Sequence, residues 1–139
     1  MDMIEIRENV LTVDLYLKLR AEVNWKVLSR RQARMAIENS LYSVVAYYNG
    51  EPVGMGRLVG DGAVITYVQD LVVIPSVQKK GVGGTILKAL KEYTIGMKEE
   101  GTEMMLCLMC AKGREGFYEK YGFIARPTEN LGPGMIQYL

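Results

Sequence analysis

Three glycines in four positions follow a pair of lysines in "VQKKGVGG", Val77 to Gly84, and the run joins an apolar stretch to an amphipathic one. A strand that feeds such a turn and becomes a helix N-terminus gathers unpaired backbone N–H groups. The helix dipole adds positive potential at the same place. Glycine reaches left-handed backbone angles and leaves room for an anion to approach the main chain. Lys79 and Lys80 add mobile charge at the rim. The chemistry on offer is the binding of a phosphate or pyrophosphate; a glycine turn required only for tight packing is the bland alternative. The run lacks the Gly-Lys-Ser/Thr ending of a magnesium–nucleotide loop, and it is not the dinucleotide G-x-G-x-x-G either.

Other chemistries drop out by composition. The chain has no histidine, which removes His-based triads, His-ligated metals and the usual general base near neutral pH. Cys107 and Cys110 are spaced C-x-x-C in a stretch, "EMMLCLMC", that reads as a buried strand. Residues three apart on a strand face opposite ways, so two core thiols are expected rather than a disulfide or a metal site. The methionines of that stretch read as core filling. Seventeen basic against sixteen acidic residues leave no broad basic field for nucleic acid. No apolar run approaches the roughly 20 residues of a membrane span. The opening "MDMIEIRENV" does not read as a secretion signal. A soluble cytoplasmic protein is expected, with one domain spanning residues 1–139.

The elements that must position the loop follow from pattern. "MIEIREN" alternates as a short strand. The stretch from Thr12 to Trp25 fits both a strict alternation and an i, i+4 stripe of Leu11, Leu15, Leu19 and Val23, so pattern alone leaves it open. "SRRQARMAIEN" is a helix with Ser29 as N-cap and Ala33, Ala36 and Ile37 on one face. "LYSVVAYY" and "VGMGRLV" flank an "NGEP" turn as a hairpin, and "AVITYVQDLVVI" is a long strand stopped at Pro75. Ile86, Leu90, Tyr93 and Met97 stripe a helix ending near Gly101. After "MMLCLMC" come a short helix in "KGREGFYEKYG" and two further strands, "FIA" and "MIQYL". This order describes an α/β protein with a mixed sheet, antiparallel early and with helical crossovers late.

"QKKGVG" fits a Q/R-x-x-G-x-G/A signature, and downstream "GFYEKYGF" fits F-Y-x-x-x-G-F. With the proline before the loop and this order of elements, the chain resembles the GNAT superfamily of acetyl-CoA-dependent N-acetyltransferases along essentially its whole length. The resemblance implies the GNAT fold and a helical Thr12–Trp25 stretch. It also implies acetyl transfer from acetyl-CoA to a primary amine by direct attack on the thioester, without a metal. A non-catalytic coenzyme A-binding module of the same fold is the alternative.

The resemblance also implies roles. The coenzyme pyrophosphate would lie on the loop Gln78, Lys79, Lys80, Gly81, Val82, Gly83 and Gly84. The pantetheine arm would run along Leu71, Val72 and Val73 like an added strand. The Leu71 amide, seven residues before Gln78, would polarise the acetyl carbonyl, aimed by a bulge near Asp70 and Leu71. Tyr118 would protonate the departing thiolate, with Phe117 beside it against pantetheine. Many relatives carry an Asn seven residues before that tyrosine; here Ala111 stands there, with Lys112 and Arg114 nearby.

The family's positions for a base hold Tyr67 and Gln69, neither a ready base at neutral pH. Asp70 is the nearest carboxylate, either a base acting through water or an anchor for an amide or an arginine. The acceptor amine is expected between the N-terminal helices and the strands, with Trp25, Tyr67 and Glu22 as lining candidates. A small-molecule amine is expected rather than a protein, with no nucleic acid or membrane partner; a homodimer is left open.

Overall fold

The computed structural model describes residues 3–139. The chain divides into two compact units, the first running to Leu106 and the second from Cys107 to Leu139. The first unit opens with β1 (Ile4–Glu8), α1 (Val13–Glu22) and α2 (Arg30–Glu38). It continues through β2 (Tyr42–Tyr48), β3 (Glu51–Gly60), β4 (Ile65–Val73) and α3 (Val82–Met97). A short strand β5 (Met105–Cys107) completes a mixed five-stranded sheet in the order β1-β2-β3-β4-β5. The first four strands pair antiparallel with one another, β1 with β2, β2 with β3 and β3 with β4.

Local chemistry sets the boundaries. Thr12 accepts a hydrogen bond from the Leu15 amide and opens α1, so the ambiguous stretch is helical as far as Glu22 but not, as expected, to Trp25. Tyr16 and Leu19 of that stretch are buried with Leu11 just before it, while Val13, Leu15, Leu17 and Val23 pack around them. Ser29 and Gln32 form a reciprocal capping box at the start of α2. Between β2 and β3, Asn49 (φ 49°) and Gly50 (φ 88°) make the two-residue, doubly left-handed turn that matches strand twist.

β2 and β3 each carry long uninterrupted runs of buried residues because the sheet is covered on both faces. On one face lie α1 and α2, with Ala33, Val45, Met55 and Val72 in the shared core. On the other lies α3, through Val82, Ile86, Leu87 and Leu90. Its close approach depends on Gly54 and Gly56: a Cβ at Gly56 would stand 2.8 Å from Ile86, and one at Gly54 would stand 3.0 Å from the same residue. Tyr93, expected on the inner stripe of α3, instead stacks on Tyr42 at 3.9 Å between ring centroids. The helix also stops at Met97, short of Gly101.

The second unit holds α4 (Glu115–Glu119) and an aromatic cluster in which Phe117 meets Tyr118 and Tyr121, and Tyr118 meets Phe123. None of its residues is fully buried. The strands expected at "FIA" and "MIQYL" are not formed, and β5 stops after three residues. Alternation marks a segment able to pair, but a strand exists only where a partner edge receives it. For the same reason the two cysteines are not a core pair: Cys107 is half-buried and Cys110 exposed.

Candidate active site

The site begins at a fault in the sheet. β3 and β4 pair Met55 with Val72 and Arg57 with Gln69, so Gly56 alone faces two residues, Asp70 and Leu71. That is a β-bulge at the position expected, and Asp70 takes φ 56° there, a left-handed angle that Asp tolerates better than most residues. The bulge resets the alternation of β4. Before it, Thr66 faces α3, where it hydrogen-bonds Thr94 at 3.1 Å, and Gln69 faces α1 and α2. After it, Asp70 and Val72 face α1 and α2, while Leu71 lies on the α3 side near Gly56. Two consecutive residues, Gln69 and Asp70, therefore share one face.

Asp70 is the charge centre of that face, its side chain wholly buried. Its Oδ1 accepts from Arg20 Nη1 at 2.7 Å, and its Oδ2 accepts from Arg57 Nε at 2.8 Å and from the Tyr16 hydroxyl. Arg20 also donates to the Lys26 carbonyl, and Arg57 Nη1 to the Ala36 carbonyl and Ser40 Oγ. Burial, reinforced by the donation to Asp70, pushes the Tyr16 hydroxyl above its ordinary pKa. Of the two roles the sequence offered Asp70, the geometry matches the anchor. Both oxygens are engaged by donors, and the carboxylate ties α1 and β3 to the bulge.

In front of this network lies a groove of about 420 Å³, open to solvent and confined to the first unit. Arg20 and Tyr16 of α1, Gln32 and Met35 of α2, and Arg57 and Gln69 of the sheet line it. Trp25, Tyr67 and Glu22, the lining candidates, are not among the residues that form it. Glu22 is exposed at the last residue of α1. Trp25 is 39% exposed, its ring 5.3 Å from the Arg20 guanidinium. Sequence reasoning missed Arg20 and Arg57. The signal for Arg57 was a lone cation inside the apolar strand "VGMGRLV", which only a buried counter-ion makes tolerable. A larger hollow of about 770 Å³ lies between β1, β2 and α3 and touches none of the motif residues.

Beyond β4 the chain makes a 3-10 turn at Pro75–Val77 and enters the glycine loop. Gln78 folds back, its amide donating to the Val73 carbonyl at 3.1 Å. Val77 and Val82 are buried at the two ends, which pins the loop while Gln78, Lys79, Lys80 and Gly81 stay exposed. Lys79 (φ 67°) and Gly81 (φ 87°) both take left-handed angles, and a Cβ at Gly81 would meet nothing within 4 Å. Glycine is therefore favoured there by backbone angle, and the space beside it is open. No side chain caps α3, so the first-turn amides of Val82, Gly83 and Gly84 are left to a ligand or solvent. These features fit a pyrophosphate: open backbone donors, a 16-residue helix behind them and two lysines.

In the second unit, α4 carries Phe117 and Tyr118. Burial raises the Tyr118 hydroxyl to about 12, with Cys110 adding to the shift and Arg114 opposing it. The phenol is therefore protonated at neutral pH and available as a donor. Among the described residues, no three metal-binding side chains come together. Nor is any of the helices among them long and apolar enough to cross a membrane.

A sheet split by a bulge and followed by a glycine loop at an uncapped helix is the arrangement that the resemblance to acetyltransferases implies. The model of the GNAT acetyltransferase domain matches residues 39–125, and the chain belongs to that family. Two solved structures share 28% identity. One is a probable acetyltransferase from meticillin-resistant Staphylococcus aureus (TM-score 0.83, covering 98% of this chain and 100% of that one). The other is a GNAT family acetyltransferase from Streptococcus pneumoniae (TM-score 0.82, covering 99% and 98%). A GNAT family acetyltransferase from Elizabethkingia anophelis, solved with acetyl-CoA bound, shares the fold at 21% identity and TM-score 0.65, covering 89% of this chain and 78% of that one. No curated protein sequence matches the chain.

Proposed function

We propose that this GNAT acetyltransferase moves an acetyl group from acetyl-CoA to the primary amine of a small molecule, and that residues 1–139 act as one catalytic domain. The observation that carries the reading is the bulge at Asp70 and Leu71, seven residues before the Gln78 that opens the glycine loop. In the proposal, the backbone of Gln78 through Gly84 receives the pyrophosphate, Lys79 and Lys80 add charge, and Leu71 to Val73 guide the pantetheine arm. Acetyl-CoA supplies an activated thioester. The Leu71 amide donates to its carbonyl oxygen, where negative charge grows as the amine attacks. The new C–N bond forms, the C–S bond breaks, and the thiolate leaves with a hydrogen bond from Tyr118; the amine's surplus proton passes to solvent. Asp70 holds the bulge through Tyr16, Arg20 and Arg57, acting as a positioning residue and not as the base.

The bulge supports this reading because an amide is a fixed dipole. A fixed dipole aimed at developing charge needs no reorganisation during reaction, and such donors are worth roughly 10²–10³ in rate. The test is release of free coenzyme A thiol from acetyl-CoA in the presence of a panel of amines, amino acids, polyamines and amino sugars. Amine-dependent release with acetylated product by mass is expected. Saturable acetyl-CoA binding without release, over the whole panel, would make the protein a coenzyme-binding module instead.

A further inference from the structure

We propose that the acceptor carries an oxyanion, a carboxylate or a phosphate, held by Arg20 and Arg57 in the groove beside the bulge. The inference rests on the proposed acetyl transfer and adds to it that the acceptor, expected between the N-terminal helices and the strands, enters the groove lined by α1, α2 and the sheet. Its observation is a charge surplus. Two guanidiniums face one carboxylate, Asp70, so the cluster keeps a net positive charge. The side chains of Arg20 and Arg57 are only 12% and 10% exposed, which keeps water from screening that charge fully. Among the described residues that line the groove, they are the only titratable ones apart from Tyr16, and none is acidic.

Donor capacity points the same way. Arg57 uses Nε on Asp70 and Nη1 on Ala36 and Ser40, leaving Nη2 without a partner among the described residues. Arg20 Nε is buried with no acceptor among the described residues. Arg20 Nε has no surface that a groove ligand could reach, so Arg20 contributes charge, and Arg57 Nη2 is the donor left for an oxyanion. Gln32 and Gln69 supply neutral amides on either side. A planar guanidinium pairs with carboxylate or phosphate oxygens in a way a lysine does not. A simple alkyl ammonium, by contrast, finds no carboxylate in the groove wall.

The experiment compares matched amines on the wild-type chain by thiol release. One pair is an amino acid and its carboxamide; the other is an aminoalkyl phosphate and its amino alcohol. The anionic member of at least one pair should lead by about 10-fold or more in kcat/KM, chiefly through KM, since a hydrogen bond to a charged group is worth roughly 10- to 100-fold. Which pair separates identifies carboxylate or phosphate. Arg20→Gln should shrink that lead. Independently of turnover, inorganic phosphate or acetate should alter the emission of Trp25, the sole tryptophan, whose ring adjoins Arg20. Equal or better use of the neutral amines would overturn the inference and leave acetyl transfer standing. A saturable Trp25 response with no thiol release from any amine would retain the anion site and remove the enzymatic reading.

Discussion

Asp70→Asn is the sharpest probe of how the bulge is held. Asparagine keeps the side chain's shape and tolerates φ near 56°, so the backbone need not move. What changes is charge and one acceptor. Asp70 accepts on one oxygen from Arg20 and on the other from both Arg57 and Tyr16. The asparagine carbonyl would turn to the two-donor side, leaving its NH₂ against Arg20 Nη1, donor facing donor. Breaking one partner out of a buried ion pair costs about 3–5 kcal/mol; the retained carbonyl recovers part of that, so roughly 2–4 kcal/mol is expected. For a chain of this size that lowers the thermal midpoint by on the order of 10 °C. Differential scanning calorimetry at neutral pH, beside the acetyl-CoA assay, separates the roles. A midpoint within about 2 °C of wild type, together with lost turnover, would refute the anchor and restore Asp70 as a base.

Gly83→Leu should abolish acetyl-CoA binding by calorimetric titration while leaving the thermal midpoint at or above wild type, because leucine is the better helix former by about 1 kcal/mol; normal binding would refute the anion-trap reading of the loop. Tyr118→Phe should lower kcat by roughly 10- to 100-fold with little change in acetyl-CoA affinity. With the phenol at about 12 and a thiol near 8.5, full proton transfer is uphill, so what is lost is a hydrogen bond to a charged sulfur. Full turnover in that variant would remove Tyr118 from the mechanism. Its raised pKa also sets a stability window: the folded state holds this proton more tightly than the unfolded chain, so the contribution present below pH 10 is lost as pH rises through about 12. The thermal midpoint should fall over that window by less in Tyr118→Phe than in wild type, and equal falls would contradict the burial of the hydroxyl.

The features legible in the chain alone were those written in local chemistry. Glycine spacing, a proline stop, the Ser29 N-cap, and the Asn49-Gly50 turn depend on a few neighbouring residues and on backbone angles, so they survive without tertiary context. They suffice for the loop, the hairpin, α2 and the resemblance to the family, and the resemblance in turn implied where the bulge lies. Contacts that unite distant residues were not legible. Arg20, Arg57 and Asp70 lie in separate elements, and nothing local to any of them announces the other two. Their meeting requires the bulge to turn Asp70 toward α1, which is a property of the β3–β4 pairing and not of either strand. The same reasoning covers the errors at the C-terminal end. "FIA" and "MIQYL" alternate as strands do, and Cys110 has the neighbours of a core residue, but burial and pairing are conferred by a partner surface. Periodicity states which side of a segment is apolar; only the assembled fold decides whether anything covers it.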